Sequence, residues 1–128
     1  MDFPEELKYS KEHIWVRVEN NSAVIGITDF AQEDLGTITG VELPDEGDEI
    51  EQDDAIGSVE GQKTVVSIYA PFSGTVRSVN HEAIDNPELL NDDPYDGAWL
   101  LEVTLDDPEE LKNFLSADEY VDYIESRD

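Results

Sequence analysis

Apolar and polar residues alternate along most of this chain in short runs broken by turn-forming clusters, the period-two pattern of half-buried strands. HIWVRVENNSAVIGIT reads as two strands over 14–19 and 23–28, joined at Asn20 and Asn21, which tolerate the positive φ of a tight turn. The period changes at TDFAQEDLG, where Asp29 serves as a cap, Gln32 stands three residues on as in a capping box, and Gly36 is a stop. A short helix is predicted there. Strands are expected next around 37–43, 49–50, 54–60, 64–70, 74–80 and 98–105, separated by the turn sequences LPDEGD, PFSG and NDDPYDG. Asp107-Pro108 and the capping box Ser116-x-x-Glu119 then predict two short closing helices over about 107–126. The fold class is mainly β, a compact sandwich or barrel formed by residues 1–128 as one domain.

Composition restricts the partners. The chain of 128 residues has 33 acidic side chains against seven Lys and Arg, a net charge of −26 that repels nucleic acid and anionic membrane. Its apolar residues still suffice for a core, so the charge reads as an acidic coat, suited to high salt and a halophilic source. With no cysteine there is no disulfide, thiolate or sulfur ligand, and any thiol chemistry must be borrowed. His13 and His81 are the only histidines and form no metal set; DDPEE and NDDPYD lack the spacing of a calcium loop and read as solvated acid. No acid, base and nucleophile converge, so an enzyme is not expected. MDFPEELKYS lacks a basic flank and apolar run, no stretch reaches membrane-spanning length, and the cytoplasm is the expected location.

Lys63 stands out, because no other lysine occurs between residues 12 and 111. AIGSVE precedes it and TVVSIYA follows, with Gly61-Gln62 read as the turn, so its ammonium projects from a hairpin tip. Such a lysine can simply be solvated or guard a sheet edge, in which case the protein is an acidic binding module. It is also what an acylating enzyme requires, an accessible amine that loses its charge and becomes a tether. A biotin carrier would present Met-Lys-Met, which Gln62-Lys63-Thr64 is not.

HIWV, IGITDFAQEDLG, VELPDEGD, VEGQKTVVSIYAPFSGTV and NPELLNDDPYDGAWLLEV, in this order over nearly the whole chain, resemble the H protein of the glycine cleavage system. That resemblance implies a lipoyl/biotinyl-type flattened β-barrel of two sheets with flanking short helices. It implies covalent lipoate on Lys63, which lies eight residues before Pro71 of the P-x-S-G turn, and a non-catalytic carrier. A lipoate-attaching enzyme, glycine decarboxylase, aminomethyltransferase and dihydrolipoamide dehydrogenase are the implied partners, with a monomer expected.

Around the arm the match departs from the family. The family reads Glu-Ser-Val-Lys-Ala with an acid three to four residues after the lysine; here Glu60 and Lys63 are kept, but Gly61, Gln62 and Thr64 differ and Ser67 stands in the acidic stretch. The family's His-Glu-Trp is His13-Ile14-Trp15, and its frequent helix histidine is Asp34. The loss of two acids favours an uncharged or anionic cargo, as in the related lipoate-binding proteins that hold sulfur intermediates for a heterodisulfide-reductase-like complex in sulfur oxidation. The alternative is the cationic aminomethyl group of glycine cleavage, with Asp34 rebuilding the site. His13 is expected to be a hydrogen-bonded structural residue in preference to one lining the arm's resting place, and Trp99 to pack in the core.

Overall fold

The computed structural model describes residues 2–126. A six-stranded antiparallel sheet has the order β1-β2-β3-β9-β8-β5, formed by β1 (Lys8–Tyr9), β2 (Ile14–Glu19), β3 (Ser22–Ile27), β9 (Leu101–Leu105), β8 (Gly74–Val79) and β5 (Glu49–Ile50). A three-stranded sheet has the order β4-β6-β7, with β4 (Ile38–Glu42), β6 (Ala55–Gly61) and β7 (Val65–Tyr69), which leaves β7 as an edge. The helices are α1 (Asp29–Leu35), α2 (His81–Asp85), α3 (Leu89–Asp92) and α4 (Ala117–Ser126), with a 3-10 turn at Pro108–Asn113.

Alternation explains the two apolar layers. Ile14, Val16, Ala23, Ile25 and Ile27 face the main core, where they meet Ile38, Val59 and Ile68 of the smaller sheet. Trp15 and Val24, between them in sequence, face the other way and are covered by α4 through Ala117, Tyr120 and Ile124, at helical spacing. β3 is therefore buried at every position, and its continuous apolar run reflects cover on both faces. Tyr9 stacks on Tyr120 with ring centroids 4.9 Å apart. Burial raises the Tyr9 phenol well above its ordinary range, so it stays protonated and donates to the Pro4 carbonyl at 2.7 Å.

The two-sheet fold with flanking short helices agrees with expectation, and most predicted strands fall within a residue or two of the observed ones. The differences have local causes. The cap of α1 is Thr28, not Asp29: its Oγ1 accepts from the Ala31 N–H at 3.3 Å, while Asp29 is already helical and accepts from Gln32 Nε2 at 2.6 Å. The segment expected as strand from 98 begins its ladder only at Leu101, because Ala98 and Trp99 bond back to Asp93 and Asp96. β1, α2 and α3 are too short to show periodicity and were not anticipated. Trp99 is only partly buried, against the α4 cluster; the large buried indole is Trp15, which donates to the Pro94 carbonyl at 2.8 Å.

The capping box of α4 is formed as its sequence predicts, with the Ser116 N–H donating to Glu119 Oε1 at 3.0 Å and the Glu119 N–H donating to Ser116 Oγ at 3.2 Å. Hydrogen bonds from the Ser116 backbone, then its hydroxyl, hold the Glu119 carboxyl below its ordinary range. A lowered folded value stabilises above the unfolded value, about pH 4.3, and that contribution is lost as pH falls through the folded one. Acidification should therefore lower the protection factor of the Tyr120 amide, its exchange rate taken relative to that of an open chain at the same pH; this amide bonds to the Ser116 carbonyl at 2.9 Å. In Ser116→Ala the Glu119 titration, followed by carbon-detected NMR, should move only part of the way back up, since alanine keeps the backbone N–H that bonds the carboxylate.

Candidate functional site

A cleft of about 390 Å³ opens between α1 and the free edge of β7, within the size range of small-ligand pockets. Its floor is the outer surface of the main core, made by the buried Ile14, Ile27, Leu35 and Ile68. Val65, Val66, Ser67 and Tyr69 form the β7 wall, Ala31 and Asp34 the α1 wall, and Glu12 and His13 come from the loop before β2. Val65, Val66 and Tyr69 are three of the four exposed large apolar side chains among the described residues. The cleft floor is apolar, while polar groups come from its rim, with Glu12 and Asp34 as its two carboxylates beside His13 and Ser67. Lys11, in an adjoining groove, lies over the Tyr123 ring at 5.7 Å.

His13, Ile14, Asp34 and Ser67, singled out in sequence, converge on this one cleft. Glu60, Gln62 and Thr64 do not line it. The Glu60 carboxylate lies on the β4 side, accepting from Thr39 Oγ1 at 3.4 Å. Lys63 stands at the head of the cleft, two residues before Val65, its first β7 residue. The turn is Gln62-Lys63, not Gly61-Gln62, since Gly61 ends β6 and its N–H donates to Thr64 O at 2.8 Å. Nor does the Lys63 ammonium project freely: it lies back on α1, donating to Glu33 O at 3.3 Å.

Sequence reasoning missed Glu12, one acid among 33, whose distinguishing signal was its place beside His13. It also missed the role of Val65, Val66 and Tyr69, since an apolar edge strand reads the same as a core strand. Asn91, placed within a turn sequence, is a buckle: its Nδ2 donates to Gln32 Oε1 and Gly36 O, both at 2.9 Å, while its Oδ1 accepts from the Ile38 N–H at 2.8 Å. These bonds fix the C-terminal end of α1 to β4. At the other end Tyr120 OH bonds to Thr28 Oγ1 and to His13 Nδ1, each at 2.8 Å. His13, at φ 67°, is therefore both hydrogen-bonded and part of the cleft. Tyr95, its phenol raised by burial, keeps its proton and accepts from the Asp29 N–H at 2.9 Å.

Residues 7–127 match the family model described as "Glycine cleavage H-protein". A glycine cleavage system H protein of Staphylococcus carnosus is 52% identical over 124 residues, covering 97% of this chain and 98% of that one. One from Halalkalibacterium halodurans is 53% identical over 123 residues, covering 96% of each. The crystal structure of a glycine cleavage system H protein from Mycobacterium marinum superposes with a TM-score of 0.90 at 31% identity, covering 96% of this chain and 99% of that one.

Tyr120→Phe removes one hydroxyl from both the α1 cap and His13. Stability should fall by about 1–3 kcal/mol in urea titration, with the cleft residues His13 and Ala31 showing the largest NMR shift changes.

Proposed function

The chain belongs to the glycine cleavage H-protein family, non-catalytic carriers that hold lipoate covalently on a lysine, and from that premise we propose that Lys63 is the attachment site and that the loaded arm rests in the cleft with an aminomethyl group as cargo. Lys63 fits the attachment: its amine is exposed, on a short turn, and at the head of an apolar cleft. When attached, lipoate supplies a disulfide that opens to thiols able to take up and release cargo, chemistry this cysteine-free chain lacks. Val65 and Val66 on β7 would cover the hydrocarbon of an arm attached to Lys63, and Ser67 lies about 13 Å along the chain from Lys63 at the usual strand rise.

The observation that carries the cargo reading is the pair of carboxylates, Glu12 and Asp34, that line an otherwise largely apolar cleft. An aminomethyl group is cationic at neutral pH, and charge-assisted hydrogen bonds to carboxylate are the stronger kind. The acids missing at Ile14 and Ser67 are thereby replaced from two neighbouring positions: Glu12 two residues before Ile14, and Asp34 across the cleft from Ser67. The expectation of a sulfur cargo rested on those losses and is set aside, because the acid has moved within the cleft and the relatives compared are glycine cleavage proteins. Glycine decarboxylase, aminomethyltransferase and dihydrolipoamide dehydrogenase are the corresponding partners. Water is excluded on the core side by Ile14 and Ile27, where the chain otherwise places acid so freely.

Two experiments test this reading. Intact mass and peptide mapping of protein from its native host should find one lipoyl amide, on Lys63; Lys63→Ala should carry none and melt within about 1 kcal/mol of the parent, since it loses one exposed contact. A lipoyl group on Lys8, Lys11 or Lys112 would refute the site. Once loaded from glycine by glycine decarboxylase, the parent should hold its cargo roughly threefold longer than Glu12→Gln/Asp34→Asn, timed by mass spectrometry. Equal lifetimes would remove the carboxylates from the cargo site.

A further inference from the structure

The hairpin tip bearing Lys63 is docked on a second part of the chain. Gln62 N–H donates to Thr37 O at 2.9 Å and Lys63 N–H donates to Leu35 O at 3.0 Å, so both turn residues bond to carbonyls flanking Gly36, the C-terminal cap of α1. The lysine side chain follows the same seam. A Cβ built on Gly36 would lie 3.4 Å from Lys63 Cγ and 3.5 Å from Lys63 Cε, which places the stem across the glycine, with the ammonium on Glu33 O. That carbonyl belongs to the negative end of a helix, where a cation is favoured.

The seam depends on one missing side chain. A Cβ on Gly61 would stand 2.4 Å from Leu35 O and 2.7 Å from Leu35 Cβ. The oxygen it would strike is the one that accepts from Lys63, and as backbone in the last turn of a packed helix it cannot swing aside. Gly61 lies at the position where the family it resembles carries serine, and in this chain the Cβ of such a side chain would meet Leu35 O.

We infer that Gly61 is a positioning residue for the acylation of Lys63: by letting the tip seat on α1 it holds the amine in one pose and makes tip and helix end a single surface for the attaching enzyme. This rests on the reading of Lys63 as the lipoyl site. In the transfer the ammonium first loses a proton to solvent; Nζ then forms a C–N bond to the acyl carbon of an activated lipoic acid, an acyl phosphate anhydride supplied by that enzyme, and gives a second proton to solvent as the neutral amide forms. The phosphate group departs with the electron pair of its bond to that carbon, and nothing is oxidised or reduced. A backbone that holds the amine still removes orientational freedom which the enzyme would otherwise have to restrict.

The test compares the parent with Gly61→Ser and with Val103→Ala, a buried site on β9 chosen to lower stability without touching the tip. At a temperature where all three are folded by circular dichroism, a lipoate ligase with lipoate and ATP should modify Gly61→Ser with kcat/KM lower by roughly tenfold or more and leave Val103→Ala at the parental value. The Gln62 and Lys63 amides should exchange faster in Gly61→Ser alone. Parental kcat/KM in Gly61→Ser, or protected amides there, would overturn the proposal, as would parental Gln62 and Lys63 amides that exchange at open-turn rates, a measurement that needs no variant to fold. A parent that accepts no lipoyl group anywhere would instead overturn the underlying attachment reading, and this inference with it.

Discussion

Fixing the first turn of a helix costs more chain entropy than its hydrogen bonds return, and α1 has only seven residues with which to recover the difference. It persists because both of its ends are tied to other elements. Thr28 and Tyr120 hold the start; Asn91, Gly36 and the β6–β7 tip hold the finish. Everything else about the cleft follows from that double anchorage. α1 is one wall, it carries Asp34, and its final carbonyls receive both the backbone and the ammonium of Lys63. A loosened end would change the width of the cleft and the position of the amine together.

The electrostatics work at two ranges. A net charge of −26 surrounds the molecule, but at physiological ionic strength exposed charges are screened beyond about 8 Å, so the coat as a whole gives no preference for one small cargo over another. Selectivity belongs to carboxylates within contact distance, and there the chain is sparing. Apolar Ile14 replaces one acid and a hydroxyl at Ser67 another, while Glu12 and Asp34 open from the two sides of the cleft. Position, not abundance, separates a recognising carboxylate from a solubilising one.

This distinction marks how far the sequence could be read. Strand alternation, turn residues and the Ser116–Glu119 capping box each act over a few residues, and the two sheets and α4 follow from them. His13, Ile14, Asp34 and Ser67 were legible as a group because a family pattern ordered them, although they lie on three separate segments. Glu12 was not, since its one local signal, the place beside His13, is faint in so acidic a composition; only the fold of the loop before β2 brings it to the cleft. The seating of the tip was hidden for a similar reason. Gly61 looks like turn chemistry, yet its role is to make room for Leu35 O, a partner 26 residues away in sequence. Close approach between distant backbones leaves no periodic trace.

The edge strand carries a last consequence. β7 shows Val65, Val66 and Tyr69 to water and, among the described residues, has no strand on its outer side, the arrangement through which β proteins most readily adhere to copies of themselves. Natural sheets usually disarm such an edge with a lysine, a proline or a bulge, and any of these placed within β7 would also obstruct the cleft. Here the strand itself is left bare and the protection is put at a distance, in a coat that makes every pair of molecules repel. Colloidal stability and an open groove are thus obtained from the same carboxylates, and a version of this protein with a neutral surface would have to choose between them.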